Sequence, residues 1–271
     1  QVDLYNNNRL QFSFLTEDEF LILDINGELV KKISHKKSSS KKFLSVFDYD
    51  NNRNYRFVIQ DGKSLKMLDS KLNLVKGFKR DKLKSEIKFP VKHLRILEKD
   101  YLLLISKNNK PLILDRRGNI RIRLPENLTT STNHLYENDG GIITINDVNQ
   151  LVRIELNGKI SSKQLAGQKN LIYSNKNNLI ILSNGIITIN NTDFKIPFGD
   201  FDDLNIKGSK NNAYFHFRDV NENKSYLYNS KGIVSGFPIY STSTFEFSFD
   251  KNQDLITFKG DDDEILLYRL N

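Results

Sequence analysis

The sequence contains no cysteine and no tryptophan, and it has one methionine and five prolines among 271 residues. Without cysteine the chain has no disulfide, no thiolate zinc ligand and no thiol nucleophile. Its apolar runs are all far shorter than the roughly 20 residues that a membrane-spanning helix needs. We therefore expect no membrane insertion of this segment. The absence of cysteine suits an extracytoplasmic or cell-envelope location, and it suits the cytoplasm as well.

The net charge is +8 and the sequence pI is about 9.3. Such a balance is typical of proteins that bind nucleic acid or another anionic polymer. Here the excess lysine is spread through a chain rich in asparagine, lysine and isoleucine. Charge alone therefore favours an unspecialised basic protein over a nucleic-acid-binding one.

Phenylalanine (18) and tyrosine (11) are abundant, and they fall in short apolar runs separated by polar turns. The clearest case is residues 102–124, where the runs LLLIS, PLILD and IRIRL are joined by KNNK and DRRG. Runs of this length with such turns predict a three-stranded antiparallel meander.

The end of each meander recurs along the chain, where an apolar run meets an Asp, Asn or Glu turn. The recurring positions are Asp24, Asp69, Asp115, Glu155, Asn190, Asn229 and Arg269, and their spacings range from 35 to 46 residues. A period of about 40 residues with four strands per period predicts the blade of a propeller. A side chain that recurs with the fold is expected to cap its turn rather than to act as a catalytic acid.

We therefore predict an all-β fold, a seven-bladed β-propeller of four-stranded antiparallel blades in a single domain, 1–271. The predicted blades span residues 2–33, 43–78, 91–124, 133–164, 170–198, 203–239 and 244–270. The last blade lacks an outer strand of its own, because the chain ends where the turn to that strand would begin. A chain that begins at Gln1 is expected to be a processed form or part of a longer protein. A single helical turn is predicted at 81–87.

The repeat resembles the β-propeller superfamily over essentially the full length, and its turn element, an apolar run followed by D-x-x-G, is similar to that of quinoprotein-like blades. The resemblance implies the fold only. The chain has no Trp-Asp pair, no tryptophan-bearing blade motif and one Gly-Gly pair, Gly140 and Gly141. We carry no catalytic residue and no quinone cofactor over from these families.

Charged loops predicted on one propeller face suggest a polarised surface. The candidate basic patch is Lys36, Lys37, Lys41, Lys42, Lys79 and Arg80, and the candidate acidic patch is Asp200, Asp202, Asp203, Asp261, Asp262 and Asp263. Such a surface would dock a partner of matching polarity. The alternative is that these are ordinary solvated connectors.

Two other kinds of site deserve mention. The segments that start at Asp48, Asp219 and Asp250 repeat the opening D-x-[DN]-x-[DN] of a calcium loop but lack its glycine and its final glutamate. Calcium is thus an unfavoured cofactor, and we expect none. His93 and His134 fall in predicted inner strands, where they would line the axial channel, whereas His216 falls in a core strand.

The sequence therefore favours a non-catalytic propeller, a protein-interaction or structural module of a bacterial envelope protein with a protein partner, taken as a monomer. One alternative is a binding module for a polyanion, nucleic acid or acidic glycan. Another is a hydrolase or other enzyme that uses the channel mouth, with His93 or His134 in its site.

Overall fold

A computed structural model describes residues 1–131, 134–167, 170–176, 178–183, 185–208, 213–249, 254–261 and 264–270, apart from the side chain of Asp203. All regular secondary structure in these ranges is β-strand. Within them no helix is long and apolar enough to cross a membrane. The chain divides into two compact units, Gln1–Thr130 and Ser131–Asn271.

The first unit contains the sheets of blades 1 to 3. Its strands are β1 (Phe12–Leu15), β2 (Glu19–Leu23), β3 (Leu29–Ser34), β4 (Lys42–Phe47), β5 (Arg56–Asp61), β6 (Ser64–Leu68), β7 (Lys92–Ile96), β8 (Lys99–Ile105), β9 (Pro111–Leu114) and β10 (Ile120–Ile122). They form the sheets β1-β2-β3, β4-β5-β6 and β7-β8-β9-β10.

The second unit contains the sheets of blades 4 to 7. Its strands are β11 (Tyr136–Asn138), β12 (Gly141–Ile145), β13 (Gln150–Ile154), β14 (Ile160–Gln164), β15 (Leu171–Ser174), β16 (Leu179–Ser183), β17 (Ile186–Ile189), β18 (Thr192–Lys195), β19 (Phe201–Gly208), β20 (Ala213–Asp219), β21 (Lys224–Asn229), β22 (Gly232–Ile233), β23 (Ile239–Tyr240), β24 (Glu246–Phe249), β25 (Asp254–Lys259) and β26 (Ile265–Leu270). They form the sheets β11 to β14, β15 to β18, β19 to β23, and β24 to β26.

The seven sheets coincide with the seven predicted blades, and all their strand pairings are antiparallel between strands close in sequence. Blades 3, 4 and 5 have the four predicted strands. The last blade has three, β24 to β26, as the prediction of a missing outer strand requires. The second strands β8 and β12 are buried along nearly their whole length, because each is covered on both faces.

The first strand of blade 1 is reduced to one bridge, between Val2 and Gln11. The turn that follows matches the corresponding turn of blade 2. Asp3 accepts the backbone N–H groups of Asn7 and Asn8, as Asp48 accepts those of the residues four and five positions later. The two turns therefore share one hydrogen-bonding arrangement.

The outer strands of blades 2 and 6 are interrupted, which the sequence analysis did not foresee. In blade 2, Val75 N–H donates to Met67 O and Leu65 N–H donates to Asp81 O, with residues 76–80 bulging away between them. In blade 6 the strand splits into β22 and β23. Both interruptions carry the sequence Val-x-Gly-Phe, and Gly77 and Gly236 have φ values of 87° and 86°. A side chain is strained at such angles, so this bulge needs glycine.

The predicted helical turn at 81–87 is wrong. Lys82 forms a β-bridge to Ser64, and Ile87 forms one to Ser106. After the bulge the backbone returns to the edge of β6, where it satisfies N–H and C=O groups that would otherwise lie open at a sheet edge.

The turns after the third strands of blades 1, 2 and 3 share one arrangement, and we call them the third-strand turns (24–28, 69–73 and 115–119). The Oδ1 atom of the first residue accepts the N–H groups two and four positions later, at 2.8–2.9 Å. The fourth residue has positive φ and is Gly27, Leu72 or Gly118. The predicted capping role of Asp24, Asp69 and Asp115 is thus confirmed.

Candidate functional site

Lys42, predicted as part of the basic patch, has a buried ammonium group. Its side chain is 7% exposed, and Nζ lies 3.0 Å from His35 Nδ1 and 3.8 Å from Asp61 Oδ2. It also donates to the backbone O of Glu17 and, at 3.5 Å, to that of Lys36. Because its charge is held by these acceptors, Lys42 anchors the connector of residues 35–42 to the ends of neighbouring strands.

The connector that Lys42 anchors carries three exposed lysines, Lys36, Lys37 and Lys41, which we call the connector lysines. Lys37 pairs with Glu17 at 2.7 Å, but both side chains are more than 70% exposed, so this pair contributes little to stability. Lys41 Nζ lies 5.1 Å from the ring centroid of Phe43. The three ammonium groups are therefore directed to solvent from a connector that is fixed at its base.

Lys79 and Arg80 lie elsewhere, on the bulge of blade 2. Lys79 N–H donates to Arg117 O at 2.7 Å, and Arg80 Nε donates to Gly118 O at 3.2 Å. These contacts place both residues at the third-strand turn of blade 3, whereas Lys42 lies beside Asp61, at the opposite end of its blade. The structure thus does not bring the six predicted basic residues together, and Arg80 has a structural contact.

The predicted acidic residues are described only in part. Asp200 and Asp261 are exposed, and Asp202 pairs with Arg218 at 3.7 Å. The side chain of Asp203 and all of Asp262 and Asp263 lie outside the described residues.

The calcium-like segments use their first carboxylates within their own turns. Asp48 accepts two backbone N–H groups, as described above, and Asp219 Oδ1 accepts those of Asn221 and Glu222 at 3.0 and 3.3 Å. The third segment, from Asp250, begins outside the described residues. The described residues contain no cluster of three or more His, Cys, Asp or Glu side chains that could hold a metal ion.

His93, a predicted channel residue, lies on β7 and pairs with a carboxylate of the next strand. Its Nε2 lies 2.9 Å from Asp100 Oδ1, and the two side chains are 15% and 5% exposed. Since an ionised carboxylate can only accept, Nε2 carries the hydrogen, and in the neutral ring Nδ1 then keeps its lone pair. Among the described residues Nδ1 has no hydrogen-bond partner, and it is not enclosed.

Two arginines also contact Asp100, Arg116 at Oδ2 and Arg95 NH1 at Oδ1, the latter at 3.5 Å. Arg116 Nε donates to Asp100 Oδ2 at 2.7 Å and its NH2 donates to Asp50 Oδ1 at 3.0 Å. Arg95 NH1 reaches Asp50 Oδ1 at 3.2 Å. Hydrogen bonds from Arg116, opposed by partial burial and supported by Arg95, hold the pKa of Asp50 below its usual range. This network fixes the His93–Asp100 pair between blades 2 and 3.

The hairpin that carries His93 and Asp100 closes through two strained residues. Ile96 and Lys99 are paired across the turn, and Leu97 and Glu98 between them have φ values of 46° and 61°. Leu97 is 76% exposed. Bulky residues rarely adopt positive φ, and such strain is concentrated at functional sites in many proteins.

An open depression of about 390 Å³ lies between β4 and β7, the first strands of blades 2 and 3, and we call it the β4–β7 depression. Its lining is Ser45, Val46, Phe47, Asp48, Val91, Lys92 and His93. Phe47, Tyr49 and His93 form an aromatic group, with centroids 4.8 Å apart for Tyr49–His93 and 5.5 Å for Phe47–His93. The Ser45 hydroxyl is enclosed and has no partner among the described residues.

The side chain of Lys92 does not lie on the same side of β7 as that of its neighbour, His93. Successive side chains of a strand point to opposite faces, so the Lys92 side chain lies on the other face of β7 from His93. Burial lowers the pKa of Lys92 to about 8. The polar side chains on the His93 side are therefore the imidazole, the Ser45 hydroxyl and the Asp48 carboxylate, which is taken up by its own turn.

The other histidines lie in different settings. His134 precedes β11 and its ring lies 6.2 Å from that of Tyr136. His216 is fully buried on β20, with Nε2 at 3.3 Å from Ser225 Oγ and its ring 4.2 Å from Phe245. Its predicted place in a core strand is confirmed.

No protein-family model matches the chain, and no curated protein matches it in sequence. Solved structures do resemble it. BBS1N in complex with ARL6DN gives a TM-score of 0.63 at 12% identity, over 99% of this chain and 89% of that one. BamB from Moraxella catarrhalis gives 0.57 at 11%, over 100% and 81%. Streptogramin B lyase gives 0.57 at 14%, over 98% and 91%.

These structures are β-propellers, and together with the seven antiparallel sheets they show the fold of this chain. It is an all-β protein of the β-propeller class with seven blades, the last of three strands. At these identities the likeness shows the fold and not the activity, and the similar structures include a lyase as well as a complex of two proteins.

Proposed function

We propose that this propeller is a non-catalytic protein-interaction module that binds an acidic partner through the connector lysines. The observation that carries the proposal is the anchored connector. Lys42 is buried beneath it and fixes it to Asp61 and to the Glu17 carbonyl. Lys36, Lys37 and Lys41 extend from its exposed side. A surface that is fixed before binding loses less conformational entropy when a partner docks.

The charge of this surface supports an electrostatic role. Among the connector lysines, the ion pairs formed within the described residues are limited to that of Lys37 with the exposed Glu17. Exposed lysines act mainly on the rate and specificity of association, through long-range attraction that salt screens. The partner is accordingly a protein with an acidic patch. The similar structure of BBS1N in complex with ARL6DN is a propeller-fold chain bound to a protein, which supports this class of partner.

The aspartates that recur in the third-strand turns bind backbone groups, which supports a non-catalytic module. Asp24, Asp69 and Asp115 each use Oδ1 to accept backbone N–H groups of their own turns, which supports a capping role rather than one as a general acid or base. The net charge of +8 supports a second candidate function, the binding of an anionic polymer. Binding of a polyanion would weaken steeply with salt, because each neutralised phosphate releases counterions.

The test is capture of partners by the wild-type chain and by the variant Lys36→Glu/Lys37→Glu/Lys41→Glu. The matched control is Lys66→Glu/Lys71→Glu/Lys76→Glu, which changes the same net charge at three other exposed lysines of the first unit. We expect one defined acidic protein to be lost from the connector variant and kept by the control. Equal recovery with all three baits would contradict the proposed surface, and nuclease-sensitive recovery would favour the polyanion.

We also propose a cell-envelope location, with which the absence of cysteine is compatible. Fractionation of source cells tests this location. Recovery of the chain with the cytoplasmic markers would contradict it.

A further inference from the structure

The β4–β7 depression combines hydrogen-bonding groups that the protein itself leaves unused. Ser45 is 8% exposed and its Oγ is enclosed without a partner among the described residues. Tyr49, which packs against His93, has an enclosed hydroxyl in the same condition. His93 adds an open acceptor, Nδ1. Buried polar groups nearly always have partners in native proteins, so such a group calls for an explanation.

The hydrogen bond between His93 and Asp100 fixes the orientation of the imidazole ring. Asp100 accepts from Nε2, and Arg116 and Arg95 hold Asp100. A second hydrogen bond that fixes one ring nitrogen determines what the other can do. Here it leaves Nδ1 as an acceptor beside the depression rather than as a donor.

The walls of the depression add an apolar, flat surface. Phe47 and His93 contribute rings, and Val91 contributes an aliphatic group. Asp48 lines the same space, but both of its carboxylate oxygens accept backbone N–H groups of its turn. Ligand sites commonly pair a mostly apolar lining with a few placed polar groups, and a volume of about 390 Å³ falls in their size range.

We propose that the β4–β7 depression binds a small, flat, neutral molecule that donates one O–H or N–H hydrogen bond to His93 Nδ1. The site is separate from the connector lysines, so it adds a small-molecule ligand to the proposed protein partner. Aromatic side chains such as Phe47 favour flat rings through stacking and edge contacts. A neutral ligand fits because the Asp48 carboxylate is taken up by its own turn and the Lys92 side chain lies on the other face of β7 from His93.

The experiment uses phenol and its methyl ether, anisole, as probes of the whole chain. Both present the same ring, but only phenol has an O–H to donate. Binding is followed by NMR titration, read from the His93 imidazole nitrogens and from the amides of β4 and β7. We expect phenol to bind at least tenfold more tightly than anisole, with the largest shifts at His93 and Ser45.

Three variants locate the contacts. His93→Phe keeps a flat ring and removes Nδ1, so it should weaken phenol at least tenfold and leave anisole unchanged. Ser45→Ala removes an enclosed hydroxyl that the probes do not reach, so it should leave the affinity for both unchanged. His134→Phe, a matched change in the second unit, should alter neither. The amide spectrum of each variant checks that it is folded, and the comparison of the two probes on the wild-type chain requires no variant.

Equal affinity for phenol and anisole would overturn the proposal, because the O–H would then have no acceptor. So would the absence of shifts at β4 and β7 at the highest soluble concentration. The proposal would also be overturned if His93→Phe weakened the binding of anisole as much as that of phenol. The imidazole would then contribute its shape and not a hydrogen-bond acceptor.

Discussion

The third-strand turns and the β4–β7 depression use polar side chains in opposite ways. In the turns, Asp24, Asp69 and Asp115 recur with the blade, and each accepts backbone N–H groups of its own turn. Around the depression the polar groups do not recur, and Ser45 Oγ and Tyr49 Oη have no partner among the described residues. A polar side chain that recurs from blade to blade and has its hydrogen-bond partners stabilises the fold. A polar side chain that occurs once and lacks such partners identifies a candidate site.

Loss of the carboxylate that pairs with His93 is expected to give the largest loss of stability. In Asp100→Ala, Arg116 and His93 lose the carboxylate that holds them. Breaking a largely buried ion pair by removing one partner leaves uncompensated polar groups, so we expect the free energy of unfolding to fall by about 3 kcal/mol. Urea unfolding measures this loss. A change no larger than that of an exposed aspartate such as Asp200→Ala would contradict the anchoring role of Asp100.

The turns themselves provide a matched comparison. Gly27 and Gly118 have φ values of 82° and 80°, but a Cβ on Gly27 would meet nothing within 4 Å. On Gly118 it would lie 2.8 Å from the backbone N of Arg80. Gly27→Ala should therefore cost about 1–2 kcal/mol from backbone strain alone. Gly118→Ala should cost more, because the bulge of blade 2 must also move. Equal melting temperatures for the two variants would contradict the contact at Arg80.

The Asp115 carboxylate makes a pH-dependent contribution. Partial burial opposes ionisation, but hydrogen bonds from Asn119 and Arg117 outweigh it and hold the pKa of Asp115 below its usual range. A lowered pKa stabilises the folded state above the unfolded value of about 4, and that contribution is lost as the pH falls through the folded value. Asp115→Asn should be about 1 kcal/mol less stable than the wild type at neutral pH.

Below pH 4 this difference should shrink as the wild-type carboxyl takes up its proton. Urea unfolding at several pH values measures the difference. A gap that widens towards acid would contradict the sign of the shift. Asparagine is compatible with the geometry, because Asn229 Oδ1 already accepts the Lys231 N–H in the corresponding turn of blade 6.

The smallest effect is expected at the depression. Removal of an enclosed hydroxyl that has no partner relieves a desolvation cost, so Ser45→Ala should leave stability unchanged or raise it by up to about 1 kcal/mol. Thermal unfolding compares this variant with Asp115→Asn. A loss of stability at Ser45 as large as that at Asp115 would remove the distinction between the two regions.

Much of the fold could be predicted because the repeat imposes it. The apolar runs, the Asp turns and the glycines at 27, 118 and 158 recur at one period, and their positions determine the blades. The interrupted outer strands could not, because Val-x-Gly-Phe occurs in two blades only. Leu72 shows a further limit, since it takes the positive φ that glycine has in neighbouring turns.

The candidate sites were less predictable, because they depend on contacts between side chains distant in sequence. Lys42 is one of several lysines in its connector, and its sequence does not reveal that its ammonium is buried. The sequence alone predicts that Arg80 is a surface residue, but the bulge of blade 2 places its side chain in contact with Gly118. The pairing of β7 with β8, which sets Arg95 opposite Asp100, was the signal that could have identified the His93 network.

The tautomer of His93 tests the central claim most directly, because the binding site requires an open acceptor at Nδ1. Long-range nitrogen–proton correlation in the NMR spectrum of the wild-type chain, at a pH where the ring is neutral, assigns the proton to one nitrogen. We predict that Nε2 carries the hydrogen and donates to Asp100, with Nδ1 unprotonated. A hydrogen on Nδ1 would contradict the account, because the depression would then present a donor where the proposed ligand needs an acceptor.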